Sequence, residues 1–205
     1  MDNQTSQPAE LGPRLRAIRL LLPVILLLAS TGCAFGTRHV TLDYPVPALA
    51  AKPSRNQQIY VAPVGDSRSR PEVVGHVLNG LGMKTAKVVA RNDVTQWIRD
   101  ALITELRHNG YDVVDTEGSA AAVSGTVIHV ECDSYLNYEG AVHLSVLLRK
   151  NGATLIDRIY TGEDSGGLNF AMTSTSYAAV LKGALQAAVQ KIVSDINSRL
   201  ADDAT

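Results

Sequence analysis

From Gln57 onward the spacing of apolar and polar residues switches between two periods, and each switch marks an element. Ile59, Tyr60, Val61, Ala62 and Val64 form a nearly continuous apolar run, the pattern of a short strand covered on both faces. The next stretch, GDSRSRPEVVGHVLNGLGMKTAKVV, is rich in glycine and charge. It accommodates short strands near residues 75–78 and 87–90 with loops between them. A period of about 3.6 then takes over, with Val94, Ile98, Ala101, Leu102 and Leu106 on one helical face. Asp93 and Gln96 fit a capping box ahead of this helix. Asn109-Gly110 fits its stop, because a left-handed terminal residue favours Gly or Asn. A short strand over 111–114 follows.

AAVSGTVIHVECD reads as a strand of irregular alternation, and GAVHLSVLLRKNGATLIDRIYTGE reads as a hairpin. Asn151-Gly152 is the preferred pair for a two-residue type I′ turn. In that register Val142, Leu144, Val146, Leu148, Leu155 and Ile159 share one face. His143, Ser145, Arg149, Thr154, Arg158 and Tyr160 share the other, and Asp157 is a polar misfit on the apolar side. The last pattern predicts a helix over 176–200. Its stripe is Leu181, Leu185, Ala188, Ile192 and Ile196, widened by Ala184, Val189 and Val193, with Thr175 or Ser176 as cap. This order packs most economically as an α+β two-layer sandwich, a mostly antiparallel sheet with two long helices on one face. No internal repeat is visible.

Before Gln57 the pattern is different. Pro45, Pro47 and Pro53 lie among small residues, which makes a tether with a short edge strand over 40–44. Further upstream come Arg14, Arg16 and Arg19, an apolar run over 20–29, then Ser30, Thr31 and Gly32. Basic, apolar and small segments in that order form a secretory signal. A run of about ten residues is too short for a hydrocarbon core about 30 Å thick, which weighs against an uncleaved anchor. Ser30-Thr31-Gly32-Cys33 resembles the lipobox of bacterial lipoproteins, with Ser30 where leucine is usual. That resemblance implies cleavage before Cys33, acylation of Cys33 and a firm lipid anchor. Ala34, rather than Asp, after the cysteine points by the same resemblance to the outer membrane, with the domain facing the periplasm. The expected organisation is a signal peptide over 1–32, a lipid-anchored tether over 33–57, a single periplasmic domain over 58–200 and a disordered tail over 201–205.

Composition narrows the function. The chain has 205 residues, 45% of them hydrophobic, which suits one domain plus a removable or flexible end. Formal net charge is -1, against the basic footprint a dedicated nucleic-acid binder needs. With one Trp and two Phe, a stacking platform for bases is disfavoured. The two cysteines, Cys33 and Cys132, build no disulfide framework if Cys33 is acylated.

The order of elements also resembles the YajG-like family of bacterial outer-membrane lipoproteins. The resemblance rests on Cys33, on VGDSR after the first strand, on NGLGMKTAKV, on VTQWIRDALITELRHNGYDVV and on the SYAAVLKGALQAAVQKIVSDI helix. It implies a two-layer α/β domain held at the outer membrane and carries no activity with it.

Candidate chemistry is thin. The histidines are His39, His76, His108, His129 and His143. HVEC places His129 and Glu131 on one strand face and Cys132 on the other, with His143 on a neighbouring strand. A metal site there is weighed against ordinary solvent-face polar residues, and the second reading is preferred. His108 suits the last helical turn, where a cation meets the dipole. No nucleophile elbow, Walker loop or zinc-protease motif occurs, and Gly80 to Gly82 is better read as a turn than as a dinucleotide fingerprint. Cys132 reads as a small half-buried residue rather than a nucleophile. Trp97 either packs under the glycine-rich loop or anchors a partner, packing being favoured. Asp66 and Arg68 either brace a loop or contact a ligand, and bracing is favoured. The preferred function is a non-catalytic binding or scaffold role in the cell envelope, with no cofactor. The membrane is contacted through acyl chains on Cys33, and an envelope protein is the expected partner. Asp66, Arg68 and Arg70, with a sheet edge, form the expected partner contact. The alternative is an envelope hydrolase with a site around Asp66, His129 and His143.

Overall fold

The computed structural model describes residues 36–45, 57–116, 118, 121–167 and 173–202. Cys33, the apolar segment before it and most of the proline-rich segment lie outside the described residues. The elements are β1 (Arg38–Val40), β2 (Gln58–Val61), β3 (Gly65–Asp66), β4 (Val73–Leu78), β5 (Lys84–Ala90), α1 (Val94–His108), β6 (Asp112–Val114), β7 (Ala121–Ser134), β8 (Tyr138–Lys150), β9 (Ala153–Gly166) and α2 (Ser174–Asp202).

The fold is α+β, and its sheet is mixed rather than purely antiparallel: the long ladders are antiparallel and the short ones parallel. The long strand β7 is its spine. It runs antiparallel to β8, which pairs antiparallel with β9. On its other side β7 takes the short strands β2, β3 and β4, all parallel to it. β4 pairs antiparallel with β5, while β1 joins β5 and β6 joins β2 in parallel. Short strands interleaved with a helix cannot return by a tight hairpin, so they pair in parallel through crossovers. Periodicity reveals the strands but not these partners.

Two bulges decide which side chains are inside. In β7 the register shifts between Val127 and His129. Before it Ala121, Val123 and Val127 are buried; after it Val130, Cys132 and Ser134 are. The irregular alternation of this strand is that switch of faces. In the β8–β9 hairpin, Asn151 and Gly152 both have positive φ, 52° and 80°, as a type I′ turn requires. Arg149 then pairs Thr154, but Leu148 pairs Ile156. Leu155 is the extra residue, and the rest of β9 is turned over. Val142, Leu144, Val146 and Leu148 are buried as the alternation predicts. In β9, however, Ile156 and Tyr160 are buried while Ile159 and Asp157 are exposed. The expected grouping of Leu155 with Ile159 on the core face, and of Tyr160 on the wet face, is therefore reversed. Asp157 is no misfit.

The helices cover the side of the sheet that these buried residues face. The Asp93 carboxylate caps α1, accepting from the backbone N–H of Thr95 and Gln96. Gln96 does not close a capping box; its amide donates to Asp100 Oδ1 at 2.7 Å. Gly110, with φ of 86°, ends the helix in the left-handed conformation open to glycine. α2 starts slightly earlier than its apolar stripe implies, and Thr173 Oγ1 accepts from the Ser176 N–H at 3.3 Å. Leu181, Leu185, Ala188, Ile192 and Ile196 are all buried. α2 lies very close to β9: a Cβ on Gly162 would sit 2.0 Å from the Ala184 carbonyl oxygen, so only glycine fits there. Arg158 Nη1 and Tyr160 OH, both donating to Asp195 Oδ2 at 2.9 and 2.8 Å, fasten the same helix to β9.

The segment around β1 belongs to this body. Leu42 is buried, and its backbone exchanges two 2.9 Å hydrogen bonds with the Asn92 side chain. Tyr44 OH donates to Glu105 Oε1 at 2.8 Å. Among the described residues no helix is long and apolar enough to cross a membrane.

Candidate functional site

Alternation along β7 sends Cys132 and Ser134 toward α2, where Ser134 Oγ bonds Tyr177 OH. It therefore sends His129, Glu131 and Asp133 to the opposite face, which neither helix covers. Parallel pairing of β4 sets His76 beside Asp133. The His76 N–H donates to Asp133 Oδ1 at 2.9 Å, and His76 Nδ1 lies 2.9 Å from Glu131 Oε1 and 3.3 Å from Asp133 Oδ1. Lys84, from β5, brings its Nζ to 2.7 Å from Glu131 and 3.5 Å from Asp133. His129 Nε2 is 3.6 Å from Glu131 Oε2, and its ring meets that of His143, the residue paired with it on β8, with centroids 4.9 Å apart. The cluster borders an open depression of about 750 Å³, lined by Glu131, Asp133, Glu139 and Glu163 among others.

The charges of this cluster answer one another. Burial pushes the Asp133 carboxyl up, and the neighbouring Glu131 charge adds to it. Burial acts on Glu131 in the same direction, but the hydrogen bond and charge of Lys84, with His76 and His129, hold it below the usual carboxylate range. His129 is lowered, mainly by burial of its ring. His76, Glu131 and Asp133 offer three donor atoms within 4.8 Å of one another, a set that suits a divalent metal. The Lys84 ammonium lies against two of these three groups, Glu131 and Asp133, so the carboxylates are neutralised from within.

The other sequence candidates fall elsewhere. Asp66 and Arg68 form a loop brace: the guanidinium lies 2.7 Å from the Asp66 carboxylate. It also donates to the Val73 and Pro71 carbonyls at 3.0 and 2.6 Å. Arg70 is exposed beside it. Cys132 is fully buried on the helix side, and burial pushes its thiol up to about 12, so it is inert as a nucleophile at neutral pH. Trp97 is buried in the core, with no hydrogen-bond partner for Nε1. It packs rather than projecting to a partner. His39 and His108 are exposed. Of the proposed hydrolase residues, the fold brings His129 and His143 together, while the Asp66 carboxylate is taken up by Arg68. The residues that reading the chain missed are His76, Lys84 and Asp133. Asp133 was legible, since 129, 131 and 133 alternate onto one face. His76 and Lys84 reach the site only through the β4–β7 and β4–β5 pairings.

Comparison with known proteins now supplies the family. A family described as uncharacterized lipoprotein matches residues 45–200. The chain belongs to that lipoprotein family. The lipoprotein family places it among proteins held at a membrane of the cell envelope. No curated protein is significantly similar to it. Among solved structures, protein XCC0632 from Xanthomonas campestris is 13% identical, with a TM-score of 0.54, covering 82% of this chain and 99% of that one. An uncharacterized protein is 14% identical, with a TM-score of 0.53 over 78% of this chain and 99% of the other. At these identities the likeness is one of fold. Lipoprotein GNA1162 from Neisseria meningitidis is more distant, at 13% identity and a TM-score of 0.36, covering 71% and 99% of the two chains.

Proposed function

We propose that this lipoprotein is a non-catalytic binding or scaffold protein, anchored through acyl chains on Cys33 to the periplasmic leaflet of the outer membrane. The observation that carries the binding role is the sheet face that neither helix covers. Its charged groups are paired with one another and spread beside a wide, open depression. Such a surface fits an extended polar partner better than it fits a small substrate enclosed from water. The position of Arg70, exposed beside the Asp66–Arg68 brace, supports a contact for the same class of partner, an envelope protein. Crosslinking in intact cells tests this. Photoreactive residues at Glu163 and at Arg70 should capture the same protein, and Arg70→Glu should lower the yield several-fold with the fold intact. Undiminished capture by Arg70→Glu would remove that loop from the interface. Arg68 is unsuitable for this test, since its loss would release the loop itself. The anchor is tested separately: the mature protein should begin with an acylated Cys33, and Cys33→Ser should leave a folded domain free of the membrane.

The adjacency of His129, His143 and Glu131 favours one rival, an envelope hydrolase using His129 as base. It requires a turnover that both His129→Asn and Glu131→Gln abolish. A hydrolysis unaffected by either variant would exclude this site.

A further inference from the structure

Of the large apolar side chains that are exposed among the described residues, Ile128 and Ile159 stand singly on strands, and the other four lie together. Leu81, Met83, Tyr135 and Leu136 are 82%, 55%, 44% and 66% exposed. All four sit on two neighbouring turns at one end of the sheet. One is the β4–β5 turn, folded around Asn79, whose side chain accepts from the N–H groups of Leu81 and Met83 at 3.0 Å each. The other is the β7–β8 turn. Tyr135 OH donates to the Gly80 carbonyl at 2.9 Å and ties the two together. The turns are built to hold apolar side chains outward, and such a patch marks a contact surface.

The path of the chain says what that surface meets. β5 leaves the tip at Lys84, and β1 runs parallel to it, with Arg38 opposite Val88. The chain therefore enters the fold from the tip's own end. Arg38 lies four residues along β5 from the tip, roughly 13 Å at about 3.3 Å per residue. Cys33 precedes Arg38 by five residues, a connection that spans at most roughly 17 Å. That reach is long enough for an acyl anchor on Cys33 to come level with the tip, and too short to let the domain stand far from the surface the acyl chains enter. Lys87, exposed on the adjoining strand, suits a phosphate headgroup there.

We propose that Leu81, Met83, Tyr135 and Leu136 form a lipid-docking tip that inserts into the surface of the anchoring membrane and fixes the domain's orientation on it. The inference rests on the lipoprotein anchor at Cys33. The test uses the full lipidated chain in phosphatidylethanolamine–phosphatidylglycerol vesicles. An environment-sensitive fluorophore is placed on Leu81→Cys or, at the opposite end of the sheet, on Ala153→Cys; Cys132 is buried and does not compete for the label. Doxyl-labelled lipid should quench the probe at 81 several-fold more than the probe at 153, with a blue-shifted emission at 81 alone. Equal quenching at the two sites, or none at 81, on protein whose mass shows acylated Cys33 overturns the docking tip while leaving the anchor standing. A mass without acyl chains overturns the anchor, and the tip proposal with it.

Discussion

Glu131 and Asp133 stand two residues apart on one face of β7, and what keeps two carboxylates there is Lys84. Removing that ammonium leaves only the neighbouring histidines to offset their repulsion, so both folded-state pKa values rise. A carboxyl whose folded pKa lies above its unfolded value weakens folding as pH climbs through the carboxylate range. Lys84→Met should therefore cost more stability at pH 7 than near pH 4, where the carboxylates begin to protonate. Because Lys84 is half exposed, the cost is no more than about 1 kcal/mol. Urea denaturation at the two pH values measures it, and an equal loss at both would mean Lys84 acts by packing. His129 has the opposite sense. Its folded pKa is depressed, chiefly by burial, so its stabilising contribution is present above the unfolded value, about 6.5. It is lost as pH falls through that value, since the unfolded chain then binds the proton more readily. His129→Asn should show a shallower fall in melting temperature between pH 7 and 5 than the native protein, and a parallel fall would assign that slope to other groups.

At the scale of elements, the bulge in β9 is the feature with the sharpest consequence. It buries Ile156 and leaves Ile159 60% exposed. Ile156→Asp places a charge in the core and should unfold the domain or cost several kcal/mol. Ile159→Asp should stay within about 0.5 kcal/mol of the native protein. The simple hairpin register makes the opposite prediction, so melting the two variants separates them. That register also shows what the chain's pattern reveals and what it hides. Asn151-Gly152 announces the turn, and the 3.6 period announces α1 and α2, because turn chemistry and helical faces are local properties. A bulge is one unpaired residue with no compositional mark, and Leu155 looks like any core leucine. The parallel joins of β2 and β4 to β7 are hidden for a different reason. They depend on segments sixty residues apart, while spacing reports only on neighbours. The candidate site inherits both limits: 129, 131 and 133 are legible by alternation, but His76 and Lys84 need the sheet.

At the scale of the molecule, both helices and the whole inner sheet face contribute to one core, with Val40 and Leu42 from the N-terminal segment at its edge. α1 and α2 are joined at their far ends as well. Asn197 accepts from Tyr111 OH at 2.8 Å and donates to Asn109 Oδ1 at 3.3 Å. No part of this body can open without exposing apolar surface that another part needs covered, so it should unfold as one unit. The chain carries a natural probe for this. Trp97, the single Trp, is buried in α1, whereas the far-ultraviolet circular dichroism of the domain is dominated by α1 and the longer α2. In urea the two signals should share one midpoint. Leu185→Ala, a fully buried position on α2, should lower both midpoints equally, by about 2–5 kcal/mol of stability. The Trp97 signal would then report a lesion made on the other helix, which is the mark of a shared core. Two separated midpoints, or a Trp97 transition unmoved by Leu185→Ala, would show instead that α1 with β2 and β6 is a folding unit of its own.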